Sequence, residues 1–365
     1  MKNIITNIVY AFIRGLPVLA AVLFFGTFPL YVKSDYILRI FIQIGIYVLL
    51  TSSLNIVNGY TGLFSLAHAA FFGLGAYGSA VMSTKLGVSF WAGLPVGIFV
   101  AGFVAYLIAK PTLRLKGVFL TLVTMGCNMI IMLIFLNWDS VTGGSLGIMG
   151  IPMPELFGMK FLRPLPYYYL IIFADILIIV LLDRLMRSRF GLTLKAIRED
   201  ERAAACSGIH VAHYKTVAFV MSALLAGLAG AFYAHYYRYI SPEAFNYTES
   251  FIIVTMLAFG GPGNIPGPIV GAMILVGVTE AFRAFSDYRM VFYGTLLILM
   301  MVFRPKGLFG GREYPITITW PPVKKTVYSR GDRFLDSAAT DANATNAATA
   351  TDATDAAPAA AKEER

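Results

Sequence analysis

The sequence predicts an all-α membrane protein, a polytopic helical bundle with about ten transmembrane helices. Its 365 residues are 58% hydrophobic and 13% charged, with a mean hydropathy of +0.70. Soluble chains are about 45–50% apolar and about 25% charged. Apolar stretches near the length of about 20 residues that a bilayer span requires recur from residue 11 to residue 303, with interruptions too short for soluble domains. This pattern disfavours a soluble enzyme.

The predicted spans follow these apolar stretches and form one transmembrane domain, residues 1–330. In chain order they are 12–31, 36–57, 60–82, 89–109, 117–136, 167–186, 214–236, 251–259, 269–284 and 290–303. The first span retains Arg14 and lacks a small-residue cleavage site, so it is not predicted to be a signal peptide. Residues 331–365 are rich in Ala, Thr and Asp with few large apolar side chains, which predicts a disordered tail.

The placement of Lys and Arg predicts the orientation of the chain. The cluster at 184–215 and the run that begins at Arg304 both face the cytoplasm only if the number of spans is even. We therefore expect both termini in the cytoplasm, an inner-membrane location, and a turn-rich outer loop at 137–166.

Two glycine-rich segments interrupt the helical pattern, at 58–68 and at 260–268. Irregular backbone at membrane depth is tolerated only inside protein or against a water-filled cavity, and transporters build solute sites from such broken helices. The alternative, close helix packing, requires the glycines but not the clustered Asn and His. The hypothetical solute pathway comprises Asn55, Asn58, Tyr60, Ser65, His68, Thr124, Asn128, Gly260, Gly261 and Asn264. His68 taken alone fits a hydrogen-bonded packing residue better than a solute ligand.

Small residues in the seventh predicted span indicate a surface for close helix packing. Ser222, Ala226 and Gly230 recur every four residues, and a neighbouring row with the same spacing includes Gly227. Such rows allow another helix to approach closely. We assign them to packing and not to transport.

Two carboxylates fall inside predicted spans, Asp175 in the sixth and Glu280 in the ninth. Buried carboxylates in membranes suggest ion or proton relays, so these residues favour an ion-coupled secondary carrier as an alternative function. Glu280 is expected near the outer interface. The candidate partners of Asp175 are Thr121, Thr124 and Asn128.

The basic cytoplasmic segment 194–208 is predicted to form one short amphipathic helix. Leu194, Ile197 and Ala204 share its apolar face, and Gly208 suits its C-terminal cap. Its mixed Arg and Glu side chains fit a protein partner better than anionic lipid, which basic residues alone would serve.

Four motifs in the chain resemble the permeases of branched-chain amino acid ABC transporters, of the LivM type. They lie at 59–73, 196–209, 260–268 and 303–310. Two departures are Ala67, where the family often has glycine, and Arg202, where the general permease motif has a glutamate that Glu199 or Glu201 could replace.

The resemblance implies a subunit of an ATP-driven importer that is not itself an enzyme and needs no cofactor or metal. Its partners would be a second permease subunit, two ATP-binding subunits and a periplasmic solute-binding protein, with no nucleic acid. The coupling helix that docks on an ATP-binding subunit would comprise Ala196, Ile197, Arg198, Glu199, Asp200, Glu201, Arg202, Ala203, Ala204 and Gly208. The chain has no phosphate-binding loop, so ATP hydrolysis would occur in the partners. The solute could be a branched-chain amino acid, urea or an amide, and a passive channel is a third class of function.

Overall fold

The structure is a computed structural model that describes residues 34–156, 159–160 and 163–281, together with residues 26, 29, 294, 295, 298, 302–304 and 307–310. The α-helices in this part of the chain are α1 (Asp35–Leu54), α2 (His68–Lys85), α3 (Phe90–Thr112), α4 (Val118–Asn137), α5 (Asp139–Thr142), α6 (Pro164–Arg187), α7 (Arg189–Glu199), α8 (Glu201–Cys206), α9 (Val211–Tyr237), α10 (Tyr247–Gly260) and α11 (Pro266–Ala281). The strands are β1 (Ile148–Met149), β2 (Glu155–Leu156), β3 (Met159–Lys160) and β4 (Tyr239–Ile240). The all-α prediction is confirmed, and the described residues belong to one compact unit, Ile8–Ile318.

Five predicted spans coincide with helices that are long and apolar enough to cross a bilayer. These are α1 with the π-helical turn Asn55–Tyr60 that extends it, α3, α4, α6 and α9. At the eighth and ninth predicted spans lie α10 and α11, which have 14 and 16 residues. They are therefore about 21 and 24 Å long, less than the roughly 30 Å of a bilayer core. Most of the first and tenth predicted spans and the whole tail 331–365 lie outside the described residues.

The third predicted span differs from the structure at its start. The chain from Thr61 to Ala67 is not helical, and α2 begins at His68 instead of residue 60. Gly62 has a φ of +72°, a conformation that costs an L side chain energy and that ends the preceding helix. Most of α2 is buried among its neighbours, so its polar residues Ser79 and Ser83 avoid lipid.

Helices α2, α3 and α9 form the most tightly packed part of the bundle. A Cβ added to Gly75 of α2 would lie 2.1 Å from the carbonyl oxygen of Gly227 in α9, and one added to Gly230 would lie 2.0 Å from the oxygen of Phe72. At the same place, a Cβ on Gly97 of α3 would lie 2.5 Å from the oxygen of Gly75, so the three helices meet there. The predicted packing role of the small residues in α9 is therefore confirmed.

The segment between α4 and α6 is rich in turns, as its sequence predicts. It contains the short helix α5, a 3-10 turn at Gly144–Leu146 and strand β1, which pairs antiparallel with β4. The buried His235 of α9 fixes this segment, because its Nδ1 lies 2.7 Å from the oxygen of Pro152 and its Nε2 lies 2.9 Å from Ser79 Oγ. The loop therefore packs against the helices at their ends.

Candidate functional site

The two predicted breaks are present, and each has a backbone that only glycine accommodates easily. The first consists of the π-helical turn Asn55–Tyr60 and the irregular segment 61–67. The second spans residues 261–265 between α10 and α11, where Gly261 and Gly263 have φ values of +105° and +83°. Positive φ values strain residues with a Cβ, so the glycines permit these turns.

One side chain, Asn55, joins the two breaks. Its Nδ2 donates to the carbonyl oxygen of Asn264 at 2.7 Å, and its Oδ1 accepts from the backbone N–H of Gly263 at 2.8 Å. A Cβ on Gly59 would lie 2.6 Å from the Gly263 nitrogen, so glycine permits this approach. We call Asn55, Gly59, Gly263 and Asn264 the junction.

The second break is held from the other side by residues near 308. The Asn264 amide accepts from the Gly267 N–H and donates to the Phe309 oxygen, both at 2.7 Å. Leu308 and Phe309 in turn donate their N–H groups to the oxygens of Phe259 and Gly260 at 3.1 and 3.0 Å. The end of α10 therefore receives backbone partners that its own helix cannot supply. Gly260 and Gly261 lie at this contact.

A second polar group lies where the first break meets α4. The Oδ1 of Asn58 accepts from the Ser65 N–H at 3.2 Å, and the Oγ1 of Thr124 accepts from the Leu66 N–H at 3.1 Å. Asn128, one turn beyond Thr124, is fully buried, and both of its amide atoms lack a hydrogen-bond partner among the described residues. The Nδ2 of Asn58 lacks one as well. Buried polar groups without partners are uncommon and require an explanation.

The other pathway candidates have packing environments. His68 is buried with its Nε2 2.7 Å from Ser53 Oγ and 3.1 Å from the Leu50 oxygen, which supports a packing role. Tyr60 is buried in a cluster that includes Leu182, and the Nζ of Lys195 lies 5.9 Å from its ring centroid. The structure therefore separates the predicted pathway residues into the junction, the group at α4, and these packing residues.

A small cavity adjoins the junction. Its lining residues are Ser52, Asn55, Ile56, Tyr60, Ile179, Leu182, Met186, Ile265 and Pro268. Its volume of about 10 Å³ is room for about one water molecule. The cavity is therefore too small for an amino acid.

The predicted partners of Asp175 are wrong. Thr121 and Thr124 donate their hydroxyls to the backbone oxygens of Phe64 and Thr121, at 3.1 and 3.0 Å. Asp175 of α6 instead faces α1, where a Cβ on Gly45 would lie 2.9 Å from its Oδ2. The absence of a side chain at position 45 makes room for the carboxylate between the two helices.

Two acidic residues contact tyrosines of α1. Glu280 accepts a 2.6 Å hydrogen bond from Tyr36, in an exposed position near the start of α1, where a carboxylate costs little. Glu249 accepts one of 2.7 Å from Tyr47, three turns further along α1. Sequence reasoning missed Glu249 because it precedes the apolar run of α10. The available signal is Asn246, three residues earlier, whose Oδ1 accepts from the Glu249 N–H at 3.0 Å as an N-cap.

The predicted single helix at 194–208 is wrong, because the chain forms two helices that meet at Asp200. Asp200 has φ −153° and ψ +112°, and its Oδ1 accepts from the N–H groups of Arg202 and Ala203 at 2.8 and 3.1 Å. Capping α8 in this way requires non-helical backbone at Asp200, which ends α7. The predicted cap at Gly208 is confirmed, since its φ is +82° and Ile209 N–H donates to the Ala204 oxygen.

The α7–α8 element is anchored by apolar and charged contacts. Leu194, Ile197 and Ala204 are buried, as their shared face predicts. Glu201 forms ion pairs with Lys215 at 2.9 Å and Lys116 at 3.3 Å. Partial burial alone would raise the pKa of the Glu201 carboxyl, but the hydrogen bonds and positive charges of both lysines outweigh it and hold that pKa below its usual value. Glu201 therefore anchors α8 to the bundle.

Other residues of the α7–α8 element face outward. The side chain of Glu199 is 75% exposed, although it pairs with Arg198. Arg202, Ala203 and Cys206 of α8 are exposed as well. A short element that is anchored on one face and exposed on the other can present a surface to another protein.

Comparisons with known proteins assign the chain to a family. The family profile described as "Branched-chain amino acid transport system / permease component" matches residues 36–301. The chain is 35% identical to the high-affinity branched-chain amino acid transport system permease protein LivM of Escherichia coli strain K12 over 286 residues, which are 72% of this chain and 67% of that protein. It is also 35% identical to LivM of Salmonella typhimurium, over 79% of this chain and 72% of the relative.

A second permease type is more distantly related. LivH of Escherichia coli strain K12 is 26% identical over 297 residues, 73% of this chain and 92% of the relative. No solved structure is significantly similar to the chain. The family match and the identity to LivM place the chain among the transport permeases, which are not themselves catalytic, and it belongs to the branched-chain amino acid ABC permeases of the LivM type.

Proposed function

We propose that this chain is the permease subunit of an ATP-driven importer that carries branched-chain amino acids across the inner membrane. The observation that carries the proposal is the pair of broken helices joined at Asn55, together with three buried amide atoms that lack hydrogen-bond partners among the described residues, Asn58 Nδ2 and both amide atoms of Asn128. A solute or water that passes when the breaks separate would supply those partners. Transporters place solute sites at discontinuous helices of this kind.

The closed junction fits alternating access. In the conformation described, the cavity beside Asn55 admits about one water molecule. ATP binding in partner subunits would move the α7–α8 element, and the two breaks would then separate around the solute. The chain contains no ATP-binding loop of its own, so the energy would come from those subunits.

Similarity to branched-chain amino acid permeases of both the LivM and the LivH type supports the proposed assembly. This chain would pair with a LivH-type permease subunit, two ATP-binding subunits and a periplasmic solute-binding protein. The permease domain would be residues 1–330 with both termini in the cytoplasm, and residues 331–365 would remain a disordered tail. The relatives' names favour branched-chain amino acids over urea or an amide as the solute.

Reconstitution tests this proposal. Proteoliposomes would contain this chain and its LivH-type partner, with or without the ATP-binding subunits, and with the solute-binding protein outside. We expect uptake of radiolabelled leucine only when ATP and the ATP-binding subunits are present. Uptake driven by a proton or sodium gradient alone would contradict the proposal and indicate a secondary carrier. Uptake without saturation, ATP or binding protein would indicate a channel.

A further inference from the structure

Arg198 lies near the end of α7, but its guanidinium contacts the bundle. Its Nη1 donates to the carbonyl oxygen of Gly59 at 2.9 Å. The side chain is 39% exposed, compared with 75% for the adjacent Glu199. Gly59 is part of the π-helical turn of the first break, so the α7–α8 element contacts the junction directly.

Both breaks leave room for the Arg198 side chain. A Cβ on Gly62 would lie 2.7 Å from Arg198 Cγ, and one on Gly263 would lie 2.4 Å from its Nη1. These glycines have φ values of +72° and +83°, so each already has a backbone that disfavours larger residues. The arginine therefore packs on the first break through its methylenes and on the second through its guanidinium.

The hydrogen bond between Arg198 and Gly59 is suited to transmit a displacement of α7 to the junction. The Gly59 oxygen lies at the end of a helix, where backbone carbonyls have no partner within the helix. A hydrogen bond from a charged donor to such a carbonyl is about twice as strong as a neutral one. Because Gly59 also packs on Gly263, which Asn55 binds, a movement of Arg198 would act on both breaks at once.

The two halves of the α7–α8 element have different anchors. Arg198 in α7 contacts the junction, whereas Glu201 in α8 pairs with Lys215 near the start of α9 and with Lys116 in the segment between α3 and α4. The non-helical residue Asp200 separates them. A change of backbone angles at this single position would therefore shift α7 relative to α8.

We propose that Arg198 is the positioning residue that couples the α7–α8 element to the opening of the junction. Arg198 acts through the breaks and does not bind the solute or the ATP-binding subunit. This inference rests on the proposed function, because it requires an ATP-driven partner that moves the element.

The test measures two quantities on the complete complex in proteoliposomes with the solute-binding protein: leucine taken up and ATP hydrolysed. Arg198→Ala removes the whole contact. Arg198→Gln retains packing on Gly62 but removes the charge. We expect both variants to copurify with the ATP-binding subunits as the wild type does, and leucine uptake per ATP hydrolysed to fall about tenfold or more, since a hydrogen bond to a charged group is lost. Arg189→Ala is the matched control, because Arg189 is an exposed arginine at the other end of α7.

The ratio of leucine taken up to ATP hydrolysed distinguishes a coupling role of Arg198 from a structural one. A wild-type ratio in either Arg198 variant would overturn the inference, and Arg198→Gln decides the matter where Arg198→Ala fails to assemble. Loss of the ATP-binding subunits from both variants would also overturn it, because Arg198 would then serve docking. If the wild-type complex neither retains those subunits nor imports leucine with ATP, the proposed function itself fails.

Discussion

Asn55 satisfies two backbone groups of the other break with a single amide. It donates to a carbonyl through Nδ2 and accepts from an N–H through Oδ1, which the carboxyl group of aspartate could do only when protonated. The space around the Asn55 amide is tight, because a Cβ at position 59 would already lie 1.9 Å from Asn55 Oδ1. Gln is longer by one methylene and does not fit this space. The identity of this residue is therefore set by geometry and by hydrogen bonding.

Substitution of Asn55 tests the junction at the level of one residue. Asn55→Ala leaves the Gly263 N–H and Asn264 oxygen without partners, and Asn55→Asp directs a carboxylate at a carbonyl oxygen. We expect each variant to lose about 1–3 kcal/mol of stability and most leucine uptake. Thermal unfolding in detergent and transport assays measure the two effects.

Asn137→Ala is the matched control for this pair. Asn137 is an exposed asparagine that donates to the Leu133 oxygen of its own helix. We expect its removal to change stability by no more than about 0.5 kcal/mol. Equal losses of stability in the variants at positions 55 and 137 would show that the hydrogen bonds of the junction stabilise the protein no more than those of an exposed asparagine.

At the scale of helices, hydropathy and glycine placement predict much of the fold. The apolar runs locate α3, α4, α6 and α9 to within a few residues, since a bilayer leaves few alternatives for such segments. The paired Gly and Asn residues locate both breaks. The start of α2 is not predicted because the irregular segment 61–67 is held by Thr121 and Thr124 of another helix.

The site itself is less predictable because its contacts are distant in sequence. Asn55 and Gly263 are separated by 208 positions, and Arg198 and Gly59 by 139. Asp200 is different, because its signal is local. Aspartate favours N-cap positions, and this preference prevails over the helix propensity of the alanines and charged residues around it. The sequence predicts partners for Asp175 on α4 instead of α1, because the missing side chain at Gly45 leaves no hydropathy signal.

Glycines of the α2–α3–α9 group are expected to respond to substitution in the opposite way to a glycine with open space around it. Gly75→Ala places a Cβ 2.1 Å from the backbone oxygen of Gly227, which no rotamer change relieves. We expect it to cost about 1–3 kcal/mol or more. Gly126 of α4 has no atom within 4 Å of an added Cβ, so Gly126→Ala should gain about 0.5–1 kcal/mol from reduced backbone entropy. In one detergent, the melting temperature of the purified protein should fall with Gly75→Ala and rise with Gly126→Ala.

For the whole molecule, α4 exposes a row of apolar side chains that the other described residues do not cover. Val118, Phe119, Leu122, Ile130 and Leu133 of α4 are exposed. The opposite face of the same helix carries the buried Thr124 and Asn128 beside the first break. The polar group therefore lies on one side of α4, and the exposed side is free to face lipid or the proposed second permease subunit, which agrees with a pathway that one subunit does not enclose alone.

The two native cysteines allow the proposed orientation and docking to be tested together. Cys206 is exposed on α8, whereas Cys127 is half-buried within α4. We expect a membrane-impermeant maleimide to label Cys206 in inverted vesicles and not in right-side-out vesicles, since the α7–α8 element is proposed to be cytoplasmic. Binding of the ATP-binding subunits should then suppress the labelling, because Arg202, Ala203 and Cys206 lie on the same exposed helix.

The labelling experiment needs two reference variants. Cys206→Ser should abolish the signal, which assigns it to α8, and Cys127→Ser should leave it unchanged, because a thiol inside a span reacts poorly with a charged reagent. Labelling from outside the cell would reverse the orientation and place the α7–α8 element out of reach of any ATP-binding subunit. Labelling from the cytoplasmic side that persists in the assembled complex would keep the orientation and move the docking surface to the exposed part of α7, around Leu192 and Glu199.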